Sequence, residues 1–87
     1  MVELTVRYFA GARAAAGVSA ETVAVPGAGS GTTVAHVLDV VRAKHGANLT
    51  RVLAASSFLL DGIAVRDHAA AVSAGAELDV LPPFAGG

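Results

Sequence analysis

Alternating apolar and polar residues predict three β-strands. Residues 2–8 alternate strictly, with apolar side chains at the even positions and polar ones between them, which is the period of a strand with one buried face. Residues 22–25 repeat the pattern and end at Pro26-Gly27. Residues 77–81 predict a last strand with Leu78 and Val80 inward. Pro82-Pro83 ends it, because neither proline can donate a hydrogen bond to a neighbouring strand.

Helical patterns lie between these strands. Residues 10–16 are rich in alanine and predict a short helical turn that stops at Gly17. Residues 27–31 are small and predict a loop. The main helix begins after Thr32 or Thr33, either of which can cap it, and ends at Gly46. Its apolar positions follow the spacing of an amphipathic helix: Val34, Val37, Leu38 and Val41. The pattern of residues 49–55 is ambiguous.

The order of these elements predicts an α+β fold. Asp61-Gly62 stands between the apolar runs 58–60 and 63–65, and such a pair is a strong hairpin signal. Gly75 marks a further turn. We expect a mixed sheet packed on one main helix, with the first and last strands as central neighbours, which is a β-grasp (ubiquitin-like) roll. Residues 1–81 would form the single domain and residues 82–87 an extended, flexible tail.

Composition excludes several classes of function. The 87-residue chain has a formal net charge of -1, which argues against nonspecific nucleic-acid binding. It has no cysteine, and therefore no disulfide, thiolate metal site or cysteine nucleophile. The histidines are scattered without partners at metal-ligand spacing, so we expect no metal site. No signal peptide or membrane span is evident, and we expect a cytoplasmic protein without membrane contact.

The last six residues are the strongest candidate for function. Pro82-Pro83 favours an extended exit from the domain, and Gly86-Gly87 has no side chain to hinder a partner that approaches the terminal carboxylate. Four extended residues reach ~13–14 Å, enough to enter a deep pocket. A frayed chain end is the ordinary alternative, but this end carries Phe84 and no charged side chain.

Four stretches together resemble a known family. They are Phe9-Ala10 with Arg13 and Gly17, Thr33-Val34 continuing to Val37-Leu38, Asp61-Gly62 followed by Val65, and Leu81-Pro82-Pro83-Phe84-Ala85-Gly86-Gly87. The chain resembles the small, sulfur-carrying subunit of molybdopterin synthase, within the ubiquitin-like sulfur-carrier family that includes the thiamine-pathway carrier. The Pro-Pro-x-x-Gly-Gly ending is the most specific element and favours the molybdopterin branch.

The resemblance implies a mechanism carried by the chain end. A ubiquitin-activating-type adenylating enzyme would use ATP to activate the carboxylate of Gly87, and sulfur would then convert it to a thiocarboxylate. The large catalytic subunit of the synthase would bind the tail and pass that sulfur to the pterin precursor. The small subunit would hold no permanent cofactor and would not itself be an enzyme.

Residue roles follow from the same resemblance. Gly87 would be the reactive residue, while Gly86, Ala85, Phe84, Pro83 and Pro82 would thread or aim the tail. Leu81, Phe84 and Phe9 are candidates for docking on the partner, although a phenylalanine such as Phe9 more often lies in a core. Two alternatives use the same activated Gly87: sulfur delivery to another acceptor (cysteine, tRNA or thiamine), and conjugation to lysines as a protein modifier. An interaction module with an inert tail is a third.

Overall fold

The computed structural model describes residues 1–26 and 31–83 of the chain. Its elements in chain order are β1 (Val2–Tyr8), α1 (Ala10–Ala16), β2 (Ala20–Val25), β3 (Thr32–Thr33), α2 (Val34–His45), α3 (Ala47–Ala55), β4 (Ser57–Leu60), β5 (Ile63–Ala64), β6 (Ala71–Val72) and β7 (Glu77–Leu81). Most of the predicted loop at 27–31 lies outside the described residues.

The main sheet has five strands in the order β2-β1-β7-β4-β5. The parallel pair β1–β7 is central, and the other neighbours are antiparallel. The predicted pairing of the first and last strands is therefore confirmed, as is the predicted α+β fold of the β-grasp type. β3 and β6 form a separate two-stranded sheet that the sequence pattern did not predict.

The helices cover one face of the main sheet. Side chains from β1 and β7 that point to this face are fully buried, among them Val6, Leu78 and Val80 at 0% exposure. They pack in one core with the apolar stripe of α2, whose predicted members are all buried. The apolar faces predicted from the period-2 pattern of the strands and from the helical spacing of α2 thus pack together in one hydrophobic core. This packing is favourable because it removes apolar surface from water.

A capping box begins α2, and a glycine ends it. The Thr33 hydroxyl accepts a hydrogen bond from the backbone N–H of His36, and His36 Nδ1 accepts one from the backbone N–H of Thr33. This reciprocal capping box satisfies two donors at the start of α2. Gly46 ends α2 with a φ of 87°, a conformation that favours glycine. The chain enters α3 directly from there, in the stretch that the sequence left ambiguous.

The predicted hairpin is confirmed. Asp61 and Gly62 both have positive φ, 50° and 83°, as a tight turn with two left-handed residues requires. Asp61 Oδ1 also accepts a hydrogen bond from the backbone N–H of Glu77, which ties the turn to the start of β7.

None of the helices within residues 1–26 and 31–83 has the length and hydropathy of a membrane-spanning segment.

Candidate functional site

The root of the tail is the end of the central strand β7. β7 lies between β1 and β4 and ends at Leu81, where the prediction placed the end of the last strand. Pro82 is half-buried and Pro83 is exposed. The direction of the chain at its exit is therefore set by a strand that is hydrogen-bonded on both sides. Phe84, Ala85, Gly86 and Gly87 lie outside the described residues.

Two of the predicted docking residues flank this root. Leu81 pairs with Ser57 of β4, and its side chain is half-buried. On the other side, the backbone N–H of Phe9 donates to the carbonyl of Val80 at 3.3 Å. Phe9 is 38% exposed, so it lies at the surface rather than in the core. Leu81 and Phe9 are thus brought to the same end of the sheet, beside the point where the tail leaves.

An ion pair lies next to these apolar residues on the face of the sheet away from the helices. Arg7 donates from Nε to Asp79 Oδ1 at 2.7 Å and from Nη2 to Asp79 Oδ2 at 2.8 Å. Its Nη2 is also 3.4 Å from Glu77 Oε1, and its guanidinium carbon lies 5.4 Å from the centroid of the Phe9 ring. The hydrogen bond with Asp79 is the main cause that raises the pKa of Arg7.

The sequence did not predict this pair. Asp79 lies between two inward apolar residues of β7, and the alternating pattern treats it as a solvent-facing position. It is only 6% exposed, in a strand paired on both sides, and Arg7 of the neighbouring strand bonds both of its carboxylate oxygens. Such a bidentate arginine–carboxylate contact fixes geometry as well as charge. The sequence contains one indication of this contact, since Arg7 and Asp79 both occupy outward positions of strands predicted to be neighbours.

A second polar cluster joins β1, β2 and the end of α2 around Glu21. The Glu21 carboxylate accepts hydrogen bonds from the Tyr8 hydroxyl at 2.6 Å and lies 2.9 Å from Lys44 Nζ and 2.5 Å from His45 Nε2. Burial alone would raise the pKa of Glu21, but the contacts with Tyr8, Lys44 and His45 outweigh it and lower that pKa to about 2. Burial and the bond to Glu21 raise the pKa of Tyr8.

The three histidines have separate structural environments. His36 caps α2, His45 contacts Glu21 and the edge of the Tyr8 ring, and His68 packs edge-on against Phe58. Within residues 1–26 and 31–83, no group of three or more histidine, cysteine or acidic side chains could hold a metal ion. The described residues form the surface around the tail root. The Arg7–Asp79 pair and the contacts of Glu21 stabilise the fold beneath that surface.

Solved structures of similar fold come from archaea and bacteria. The small archaeal modifier protein SAMP1 of Haloferax volcanii has a TM-score of 0.83 at 29% identity, covering 98% of this chain and 99% of that one. A putative molybdopterin converting factor, subunit 1, of Pyrococcus furiosus has a TM-score of 0.82 at 23% identity, covering 97% and 100%.

A more distant likeness is to a chain in the complex of subunits 1 and 2 of the molybdopterin-converting factor of Helicobacter pylori. It has a TM-score of 0.67 at 15% identity and covers 99% of this chain and 100% of that one. At under 25% identity, this likeness and that to the Pyrococcus protein show the fold alone.

The family is shown by the sequence itself. No curated protein matches the chain significantly. The model of the ThiS family, however, matches residues 6–87, a stretch that begins within β1 and includes the tail. The chain therefore belongs to the ThiS family and is a ubiquitin-like sulfur carrier.

Proposed function

We propose that this carrier donates sulfur to the pterin precursor in molybdopterin biosynthesis, as the small subunit of a molybdopterin synthase. The observation that carries the proposal is the Pro82-Pro83-Phe84-Ala85-Gly86-Gly87 ending, which follows directly on the central strand β7. The proline pair is the feature that favours the molybdopterin branch over the thiamine branch of the family.

The chemistry of the proposal is acyl activation at Gly87. The carboxylate attacks the α-phosphorus of ATP, pyrophosphate leaves, and an acyl adenylate forms on an adenylating enzyme of the ubiquitin-activating type. Hydrosulfide then attacks the acyl carbon, the C–O bond to AMP breaks, and a thiocarboxylate remains. The adenylate is needed because a free carboxylate is a poor electrophile, whereas AMP is a good leaving group.

Sulfur transfer takes place on the partner subunit. The thiocarboxylate sulfur attacks an electrophilic carbon of the pterin precursor, and an oxygen substituent leaves that carbon. Water then attacks the acyl carbon of Gly87 and the acyl C–S bond breaks, so the sulfur stays on the pterin and the carrier leaves with its carboxylate restored. Two such transfers, from two carriers, supply the two sulfurs of the dithiolene. In this scheme the carrier contributes a reactive terminus and its positioning, and the large subunit contributes the catalytic side chains.

The surface around the tail root fits a docking role. Phe9 and Leu81 provide apolar area on either side of the exit, and Arg7, Asp79 and Glu77 provide charges beside it. An apolar centre with a polar rim is the usual composition of a protein interface. The exit is also supported on both sides by sheet pairing, so a docked partner receives the tail in a defined direction.

A second candidate function is conjugation to protein lysines. It is favoured by the likeness to a small archaeal modifier protein, which at 29% identity exceeds the likeness to the molybdopterin converting factor subunit. The same adenylate of Gly87 would be attacked by an amine in place of hydrosulfide, and an isopeptide bond would form. The two functions therefore differ in the nucleophile and the acceptor rather than in the carrier.

Intact-mass spectrometry separates these outcomes. The full chain is incubated with its activating enzyme, ATP and sulfide, then with a molybdopterin synthase large subunit and the pterin precursor. We expect a species in which one sulfur replaces one oxygen at Gly87, and we expect the precursor to consume it. A thiocarboxylate that the precursor leaves intact, together with adducts on lysines, would support the second candidate. If no thiocarboxylate forms at all, the carrier mechanism is wrong.

A further inference from the structure

The two edges of the main sheet are unequal. The edge strand β5 has only two residues, whereas the opposite edge strand β2 has six. No described strand pairs with the outer side of β2. Proteins commonly protect sheet edges by making them short or by placing lysine, proline or a bulge in them. β5 is protected by its length, and β2 has none of these devices between Ala20 and Val25.

The backbone groups on the outer side of β2 can be identified from the ladder. Tyr8 N–H donates to the Ser19 carbonyl, so even-numbered residues of β1 bond to odd-numbered residues of β2 in the observed register. The N–H groups of Thr5 and Phe9 instead donate toward β7, which confirms the alternation. The N–H and C=O groups of Ala20, Thr22 and Ala24 consequently point away from the sheet.

The side chains along this edge are small and uncharged. Ala20, Thr22 and Ala24 are exposed on the face away from the helices, while Val23 and Val25 are buried on the other. The one charged residue of the strand, Glu21, is held by Lys44 and His45. A strand that pairs with this edge therefore meets no bulky side chain and no unpaired charge. A strongly charged segment would find no side chain of opposite charge to pair with.

We propose that β2 pairs antiparallel with β2 of a second copy of this chain, centred on Thr22. In this register Thr22 faces Thr22 of the other copy, and Ala20 faces Ala24 in both directions. Each of these pairs consists of residues whose N–H and C=O groups point outward, so all three form reciprocal hydrogen bonds. A second copy is favoured because the outward-pointing residues of this strand, Ala20, Thr22 and Ala24, are small, uncharged and symmetric about Thr22. Facing threonines are also a favourable cross-strand pair.

The proposed dimer leaves the tail root accessible. β7 is separated from the new junction by β1 and β2, so the two tail roots are about five strand spacings, or roughly 24 Å, apart across the joined sheet. Each root keeps its own Phe9 and Leu81 surface. The dimer is therefore independent of the proposed function, and the failure of one does not imply the failure of the other.

Disulfide crosslinking tests the register. The chain has no cysteine, so a single introduced cysteine can form a disulfide only with the same cysteine of the second copy. A hydrogen-bonded pair places facing Cα atoms about 5.5 Å apart, within the range of a disulfide. We expect the full-length Thr22→Cys variant to oxidise to a covalent dimer. Ala24→Cys is the matched control, because it faces Ala20 and lies about four residues, or ~13 Å, from its own equivalent.

Charge substitutions provide a second test that does not depend on oxidation. Thr22→Lys and Thr22→Glu each place like charges opposite each other, and we expect both variants to sediment as monomers at concentrations where the unaltered chain is dimeric. Mixing the two variants should restore a heterodimer. Circular dichroism checks that both remain folded. A monomeric unaltered chain at millimolar concentration, or equal crosslinking of the two cysteine variants, would overturn the proposal.

Discussion

Arg7 and Asp79 are 72 positions apart in the chain and face each other across the parallel pair β1–β7, joined by two hydrogen bonds of 2.7 and 2.8 Å. The two side chains differ in exposure, at 42% for Arg7 and 8% for Asp79. An arginine that loses its partner can turn to solvent, whereas the buried carboxylate cannot. The pair therefore makes an asymmetric contribution to stability.

This asymmetry predicts the order of three melting temperatures. Arg7→Met keeps the apolar stem beside Phe9 but leaves Asp79 buried without its partner, so we expect a marked loss of thermal stability. Asp79→Leu should be milder, because Arg7 remains partly solvated. The double variant should melt above Arg7→Met alone, since replacing both charges removes the unpaired carboxylate. An Arg7→Met variant that melts like the unaltered chain would contradict this account.

The Glu21 cluster predicts a dependence of stability on pH. The pKa of Glu21 falls from 4.5 to about 2 in the folded protein, so folding favours its ionised form. Its contribution is present above pH 4.5 and is lost as the pH falls from 4.5 toward 2. Glu21→Gln lacks this contribution at every pH. We expect its melting temperature to lie below that of the unaltered chain at pH 7 and to converge with it in acid.

Thermal melts of both proteins at several pH values measure that convergence. Asp39→Asn is a suitable control, because its contact with Arg42 is an exposed pair within α2 and such pairs contribute little. Its melting temperature should follow that of the unaltered chain throughout. A constant difference between Glu21→Gln and the unaltered chain down to pH 2 would mean that the Glu21 carboxylate is not the group responsible.

The proposed carrier mechanism makes a prediction about the tail. Deletion of Gly87, or Gly86→Trp, should abolish sulfur transfer. The deletion moves the terminal carboxylate back to Gly86, one residue or about 3.5 Å short of its position in the full chain, and the substitution adds a side chain where the tail must enter a narrow pocket. Ala85→Gly adds no bulk and should retain transfer. If the tail makes no packing contact with the domain, stability should change by no more than about 0.5 kcal/mol.

Single-turnover transfer assays and melting curves of the same samples separate the two effects. A large loss of stability on deletion of Gly87 would show that the tail packs on the domain. Undiminished transfer by Gly86→Trp would show that the pocket of the partner does not need clearance at this position.

Docking at the tail root predicts that Leu81 and Ile63, two apolar residues at the surface, respond differently to substitution. Leu81→Asp would bring an unpaired charge into an apolar contact and should weaken binding to a synthase large subunit by about 2 kcal/mol or more. Because Leu81 is half-buried, a modest loss of stability should accompany the change. Ile63→Asp is the control, since Ile63 is 73% exposed on β5, the edge strand, and should leave binding unchanged.

Calorimetric titration with the large subunit measures both affinities. Equal binding by Leu81→Asp and the unaltered chain would place the interface elsewhere on the domain. Weaker binding by Ile63→Asp would instead move it toward the hairpin formed by β4 and β5.

Much of the fold could be predicted because its signals are local. The period-2 pattern of residues 2–8, the capping residue Thr33, and the Asp61-Gly62 turn each specify their own conformation with little help from the rest of the chain. The helix over residues 47–55 has weaker signals. It is short, its N-terminus has no side-chain cap, and its buried Leu49 and Leu53 gain their energy only by packing against other elements.

The sequence by itself determined the strands β1, β2 and β7, the main helix, the β4–β5 hairpin and the family of the chain, but not the small β3–β6 sheet. The tertiary structure decided which distant polar groups meet. Arg7 and Asp79 become partners only when β1 and β7 pair. Glu21 meets Tyr8 when β1 and β2 pair, and it meets His45 only when the end of α2 lies against β2. No pattern along the chain records such contacts, because their energy depends on burial and on distances of about 3 Å that exist only in the folded protein.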